Sequence, residues 1–214
     1  MDQRSLTALA LVVLLGGPAA ADHDESMAYE VFEIGGHTIL AAEGPIAADE
    51  VDSLERALRI AGSIDELWLN SGGGNAWEGL DMGRLVRARG IATRVPRGAY
   101  CASACVFVFL GGVIRQVDEE GSIGVHMFSR SRVKKIVEHY AKRLEEAENQ
   151  DETIRNIIME IEQSSARFAA EQARFLVEMS VSLEIMIPNF ETPFDDIHDM
   201  SRRELRRYNV VNVD

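Results

Sequence analysis

A serine, a histidine and a glycine-rich turn stand in this chain in an order that suits acyl transfer. The serine is Ser103, in the run Gly98-Ala99-Tyr100-Cys101-Ala102-Ser103-Ala104-Cys105-Val106-Phe107, where one hydroxyl is flanked by small residues at the start of an apolar stretch. At the head of a buried helix such a hydroxyl gains from the positive end of the helix dipole, and the Ala104 N–H beside it is placed to receive developing negative charge. Serine is also a preferred N-cap, and taken alone that is the simpler account of Ser103. The histidine is His126, in Gly124-Val125-His126-Met127-Phe128, after a short apolar strand. A lone histidine there is more often a buried, hydrogen-bonded residue than a base. A serine nucleophile, however, needs a partner with a pKa near neutrality to take its proton, and histidine supplies it. The turn is Asn70-Ser71-Gly72-Gly73-Gly74-Asn75, a strand end running into a helix. Glycines there let a carbonyl approach the backbone and leave N–H groups unshielded, which suits an oxyanion hole, although a plain strand-to-helix turn needs no function.

Two cysteines bracket the serine, Cys101 and Cys105. They are too few and too local for a disulfide framework. On a regular helix, residues four apart share a face with a Cα separation near the upper limit for a disulfide, so a bridge between them requires irregular backbone at one end. The other reading is two small buried apolar residues.

The elements that must position these groups follow from periodicity. Residues 29 to 42 predict two short strands joined at Gly35-Gly36. Val51, Leu54, Leu58 and Ala61 recur at helical spacing, predicting a helix over 47–61 that ends at Gly62. A strand over 64–70 leads into the glycine turn, a helix over 76–89 is stopped by Gly90, and a strand over 91–95 follows. The uncharged stretch from Tyr100 to Val113 reads as a buried helix, too short to span a membrane. This repeated strand-helix order predicts an α/β domain with a mostly parallel sheet. After His126 the sequence turns into long charged helices, 131–149 and 151–179, with apolar stripes at Val133, Ile136, Val137, Tyr140 and Leu144 and at Ile154, Ile157, Ile158 and Ile161. They serve either as an arm for self-association or as a cap on the domain's own core. Ser201, with Glu204 three residues on, predicts a capped helix to Tyr208, and 210–213 reads as a last strand.

The ends and the composition bound the rest. Arg4, the apolar run Leu6 to Leu15, the break Gly16-Gly17-Pro18 and Ala19-Ala20-Ala21 before an acidic stretch form a signal-peptide pattern, with cleavage expected after Ala21. The remaining residues, 22–214, are expected to form one domain in a periplasmic or secreted setting, membrane-attached only where the leader is retained. With 214 residues, 46% apolar and 27% charged, a packed core is expected. The formal net charge of −13 argues against a nucleic-acid partner. His23, His37, His139 and His198 show no metal-ligand spacing, so neither metal nor cofactor is expected.

The order of motifs resembles the Clp-type serine peptidases of the ClpP/crotonase-like superfamily. Asn70-Ser71-Gly72-Gly73-Gly74, then Ser103 between small residues, then Ile123-Gly124-Val125-His126, a helical insert, a closing Ser-x-x-Glu-Leu helix and Val-Val-Asn-Val-Asp carry the likeness, over about residues 38 to 214. The resemblance implies Ser103 as nucleophile, His126 as base, and the N–H groups of Gly74 and Ala104 as the oxyanion hole. Its acid lies a few residues upstream of the closing helix, which favours Asp196 within the cluster Asp195, Asp196 and Asp199. The chain departs from the cytosolic pattern in its export signal, its bracketing cysteines, and glycine where a Ser-Pro-Gly-Gly turn has proline. It looks like an exported branch. A proteasome-like ring and an unfoldase partner therefore do not carry over.

The expected function is a serine hydrolase, an endopeptidase acting on peptide or protein substrates, with self-association through the helical insert as a further expectation. Three alternatives stand beside it: a Ser–Lys enzyme like the signal-peptide peptidases, using Lys134 or Lys135; a crotonase-type acyl-CoA enzyme, which the Ser–His couple counts against; and a catalytically silent scaffold.

Overall fold

The structure, a computed structural model, describes residues 26–129 and 133–213. The predicted leader and its cleavage point lie outside the described residues, as does Ser131, the expected start of the first long helix.

Two β-rich layers meet at the glycine turn. The chain opens with the predicted hairpin, β1 (Ala28–Ile34) and β2 (His37–Glu43), antiparallel about Gly35-Gly36. Both glycines have positive φ, which a two-residue hairpin turn requires. β2 then pairs in parallel with β3 (Glu66–Asn70), β3 with β4 (Ala92–Val95), and β4 with β6 (Arg115–Val117), giving the order β1-β2-β3-β4-β6. The smaller sheet has the order β5-β7-β8, from β5 (Tyr100–Ala102), β7 (Ser122–Val125) and β8 (His198–Asp199). A parallel bridge between Ser71 and Cys101 links the end of β3 to β5.

Parallel strands need crossovers, supplied here by α1 (Glu50–Ala61) and α2 (Ala76–Arg89). α2 ends at Gly90 in a left-handed C-cap, as its sequence predicts. α3 (Ala104–Leu110) is buried along its whole length. It lies against α2 at backbone distance: a Cβ on Gly79 or Gly83 would strike the carbonyl of Ala104 or Phe107, and one on Gly111 would strike Gly83. This contact pins α3, and with it the residue preceding α3.

After β7 come α4 (Lys134–Glu145) and the long α5 (Gln150–Glu178). The later half of α5 caps the core through Phe168, Phe175 and Leu176, whereas α4 has no buried residue. A 3-10 turn (Leu183–Ile185) continues into α6 (Met186–Glu191), and α7 (Arg202–Arg207) starts from Ser201 with the predicted Ser–Glu capping box.

Two expectations are corrected. Tyr100–Val113 is not one helix: its first three residues pair with β7 as a strand, and the Tyr100 carbonyl and Ala102 N–H are taken up by the backbone of Ser71 before the chain turns into α3. Residues 210–213 form no strand. Val210 is buried, and Asn212 exchanges hydrogen bonds with the backbone of Arg115. The Arg115 guanidinium is itself buried and donates to the carbonyls of Val210, Gly112, Met179 and Asn209. Burial and the nearby Arg87 cation pull its pKa down to about 10.

Candidate active site

The site is assembled at the C-terminal ends of β3, β5 and β7. β5 and β7 run in parallel with Ala102 opposite Gly124, and the next N–H, that of Ser103, donates to the Gly124 carbonyl at 3.0 Å. Ser103 therefore leaves β5 one residue in register before His126. Between strand and helix its backbone takes φ 54°, ψ −123°, a conformation that a non-glycine residue adopts only at a cost of about 1–3 kcal/mol. Although Ser103 occupies the N-cap position of α3, its hydroxyl makes no capping hydrogen bond. The capping explanation of this serine thus fails. Its side chain is partly exposed, while the residues around it, from Cys101 to Ala102 and from Ala104 to Leu110, are buried.

The elbow is braced on both sides. Cys101 and Cys105 form a disulfide with a Cα separation of 5.3 Å. The irregular backbone that such a bridge needs is supplied by Ser103. On the other side lies Gly73 at φ 94°, where an added Cβ would come within 2.6 Å of the Ala102 carbonyl, 2.7 Å of Ser103 Cβ and 2.8 Å of Ala104 N. Sequence reasoning placed weight on Gly74, yet Gly73 is the glycine packed on the elbow, and only the tertiary contact reveals it.

The orientation of Gly74 follows from its partners. Ile46 N–H donates to the Gly73 carbonyl at 2.9 Å and Asn75 N–H donates to the Ile46 carbonyl at 2.8 Å, the pattern of a parallel bridge facing Gly74. In such a bridge the N–H of Gly74 itself, trans across its peptide, points away from Ile46. The Asn75 side chain then caps α2, accepting from the N–H groups of Trp77 and Glu78.

His126 follows β7, half-buried. Burial lowers its pKa below the ordinary histidine value, partly countered by a backbone hydrogen bond with Met127. Its main chain is held from outside the sheet: Asn189 Nδ2 donates to the His126 carbonyl at 2.7 Å, and Gln172 Nε2 donates to Asn189 Oδ1 at 3.1 Å. The ring packs on Phe194 with centroids 5.1 Å apart, and Nδ1 is buried without a hydrogen-bond partner.

The aspartates are not brought to that nitrogen. Asp195, Asp196 and Asp199 are all exposed. Asp196 Oδ1 accepts from the adjacent Ile197 N–H at 2.8 Å, and Asp199 pairs opposite Gly124 in β8, close enough to Tyr100 to help burial raise the phenol's pKa. Lys134 and Lys135 are exposed on the first turn of α4, where Lys134 lies 3.6 Å from Glu138. Among the described residues no cluster of histidine, cysteine or carboxylate could hold a metal, and no helix is long and apolar enough to cross a membrane.

No protein-family model matches the sequence, and no curated protein matches it. Solved structures do. A mutant of ClpP1 from Listeria monocytogenes superposes with a TM-score of 0.51 at 16% identity, over 81% of this chain and 88% of that one. A mutant of the 1510-N membrane-bound stomatin-specific protease gives 0.49 at 16% identity, over 80% of this chain and 75% of that one. With its mostly parallel sheet, its flanking helices and its helical insert after β7, this chain has the fold of the Clp-type serine peptidases.

Proposed function

We propose that the protein is a serine hydrolase acting on peptide bonds, with Ser103 as nucleophile and His126 as general base. The observation that carries this reading is the conformation of Ser103: a strained strand-to-helix elbow whose hydroxyl is left out of the capping role available to it. The peptidase fold supports the same reaction class.

In this reaction the Ser103 oxygen bonds to the substrate carbonyl carbon while His126 takes the hydroxyl proton. The carbonyl oxygen becomes an oxyanion, received by the N–H groups of Gly74 and Ala104. The C–N bond then breaks as His126 returns the proton to the leaving amine, and water hydrolyses the acyl-enzyme by the same exchange in reverse roles. The reading assigns Asp196 as the acid that orients His126. It requires the turn over 193–197, which now sets Phe194 against the ring, to swing the carboxylate toward Nδ1.

The Cys101–Cys105 bridge supports a working place in an oxidising, exported compartment, in keeping with the leader pattern. A Ser–Lys mechanism has no comparable support, since both lysines near His126 in sequence are solvated.

The test is hydrolysis of unfolded casein and of fluorogenic peptides by the purified chain. Activity that disappears in both Ser103→Ala and His126→Ala meets the proposal; wild-type protein that is folded yet inactive against every acyl substrate favours the scaffold alternative.

A further inference from the structure

A narrow cleft starts at Ser103 and runs along the buried face of α3, walled by Val106, Phe107 and Leu110 and by Leu176 of α5, with Gln172 and Asn189 also in its lining. Its free space is close to that of a single water molecule. The two amides are the anomaly. Gln172 is 3% exposed and Asn189 9%, in a lining that is otherwise almost wholly apolar.

Their orientation is forced. The His126 carbonyl can only accept, so Asn189 must offer it Nδ2; Asn189 Oδ1 can then only accept, so Gln172 must offer it Nε2. Gln172 Oε1 is left as a buried acceptor, and it has no hydrogen-bond partner. An unmet buried acceptor of this kind costs about 1–3 kcal/mol, which a ligand that brings a donor recovers. The same side chain thus supports the main chain of the base through Asn189 and keeps an unmet, buried acceptor on a residue that lines the cleft opening at the nucleophile.

Building on the hydrolase reading, we infer that this cleft is the subsite for the side chain on the acyl side of the scissile bond, and that Gln172 selects there a short side chain bearing a hydroxyl donor, serine above alanine. The narrow apolar walls reject long side chains such as leucine and phenylalanine. Alanine fits the space but leaves Oε1 unmet.

The experiment compares fluorogenic peptides that differ only in that residue, serine, alanine, leucine or phenylalanine, with the full chain. An alkyl fluorophosphonate, which has no such side chain, reports separately whether Ser103 is reactive. The expected result is kcat/KM for serine about tenfold above alanine, with leucine and phenylalanine below both. In Gln172→Met the serine-to-alanine ratio, read within that one protein, falls to about one. Leu176→Ala widens the wall and raises leucine relative to alanine. Wild-type protein alone tests the ordering should either variant fail to fold. Fluorophosphonate labelling together with equal serine and alanine rates, or with leucine preferred, overturns the inference and leaves the hydrolase reading standing. Absence of labelling overturns the hydrolase reading, and the subsite falls with it.

Discussion

The Ser103 N–H donates to the carbonyl of Gly124 at 3.0 Å, extending the parallel ladder of β5 and β7 to the nucleophile and fixing its register against the strand that leads into His126. Neither side chain needs a long loop to reach the other's strand. The strain at Ser103 is held by neighbours that cannot yield: the disulfide across it, the Gly73 backbone against it, and an α3 that is locked to α2 through glycine contacts.

Gly73→Ala tests that bracing. A methyl group there meets two backbone atoms of the elbow and the Ser103 Cβ at under 3 Å, in a φ region that side chains rarely adopt. We expect a loss of about 2–4 kcal/mol in unfolding free energy and at least a hundredfold loss in kcat. Thermal or denaturant unfolding and peptide hydrolysis measure the two. Gly72→Ala is the control, since no atom lies within 4 Å of a Cβ at that position and its φ is not positive; it should change stability by well under half as much.

The disulfide closes a small ring, so its contribution through the unfolded chain is about 2 kcal/mol. The double change Cys101→Ala, Cys105→Ala should lower Tm by about 4–8 °C. It should also reduce kcat more than it raises KM, because what it loosens is the nucleophile's conformation. An unchanged kcat alongside the lowered Tm would mean that the bridge stabilises the fold without positioning Ser103.

Burial lowers the pKa of His126, so the base is neutral over a wider range than a free histidine. Activity should therefore be flat above about pH 6.5 and decline only as the pH falls through the lowered folded value. Stability follows with the same sign. The unfolded chain binds the extra proton first, so the stabilisation is fully present above about pH 6.5 and is lost as pH falls through the folded pKa. His126→Phe should flatten the acid limb of a stability-versus-pH curve, and an unaltered limb would assign it to the carboxylates instead.

Asp196→Asn distinguishes a triad from a Ser–His pair. If Asp196 reaches Nδ1 during turnover, kcat falls about a hundredfold or more with KM nearly unchanged. Asp199→Asn, in β8 and near Tyr100, should alter kcat by less than about threefold. A drop under threefold for Asp196→Asn as well would leave His126 oriented only by its main-chain ties to Asn189 and by Phe194.

What the sequence exposed was local. The Gly35-Gly36 hairpin, the α2 helix with its Gly90 stop and the Ser201–Glu204 capping box are each written in neighbouring residues, and each is found where its signal stands. Tyr100–Val113 misled because an uninterrupted apolar run carries no period: a buried three-residue strand and a buried helix look alike until the bridge to Ser71 is known. The same holds for Gly73, for the carbonyl nest around Arg115 and for Gln172 with Asn189. Their roles are set by partners as far as 95 residues away, which a single sequence does not connect. Ser103 was legible as a candidate through its order with Gly74 and His126. Its strain and its freedom from capping are properties of the folded backbone alone.

The most direct measurement of the central claim is covalent labelling of the purified, folded chain with an alkyl fluorophosphonate, in which the serine oxygen bonds to phosphorus and fluoride leaves. The account predicts one label, located by peptide mass spectrometry on Ser103, with none on Ser103→Ala or on denatured protein and a much slower reaction in His126→Ala. Folded wild-type protein that takes up no label, or takes it up on a different serine, contradicts it.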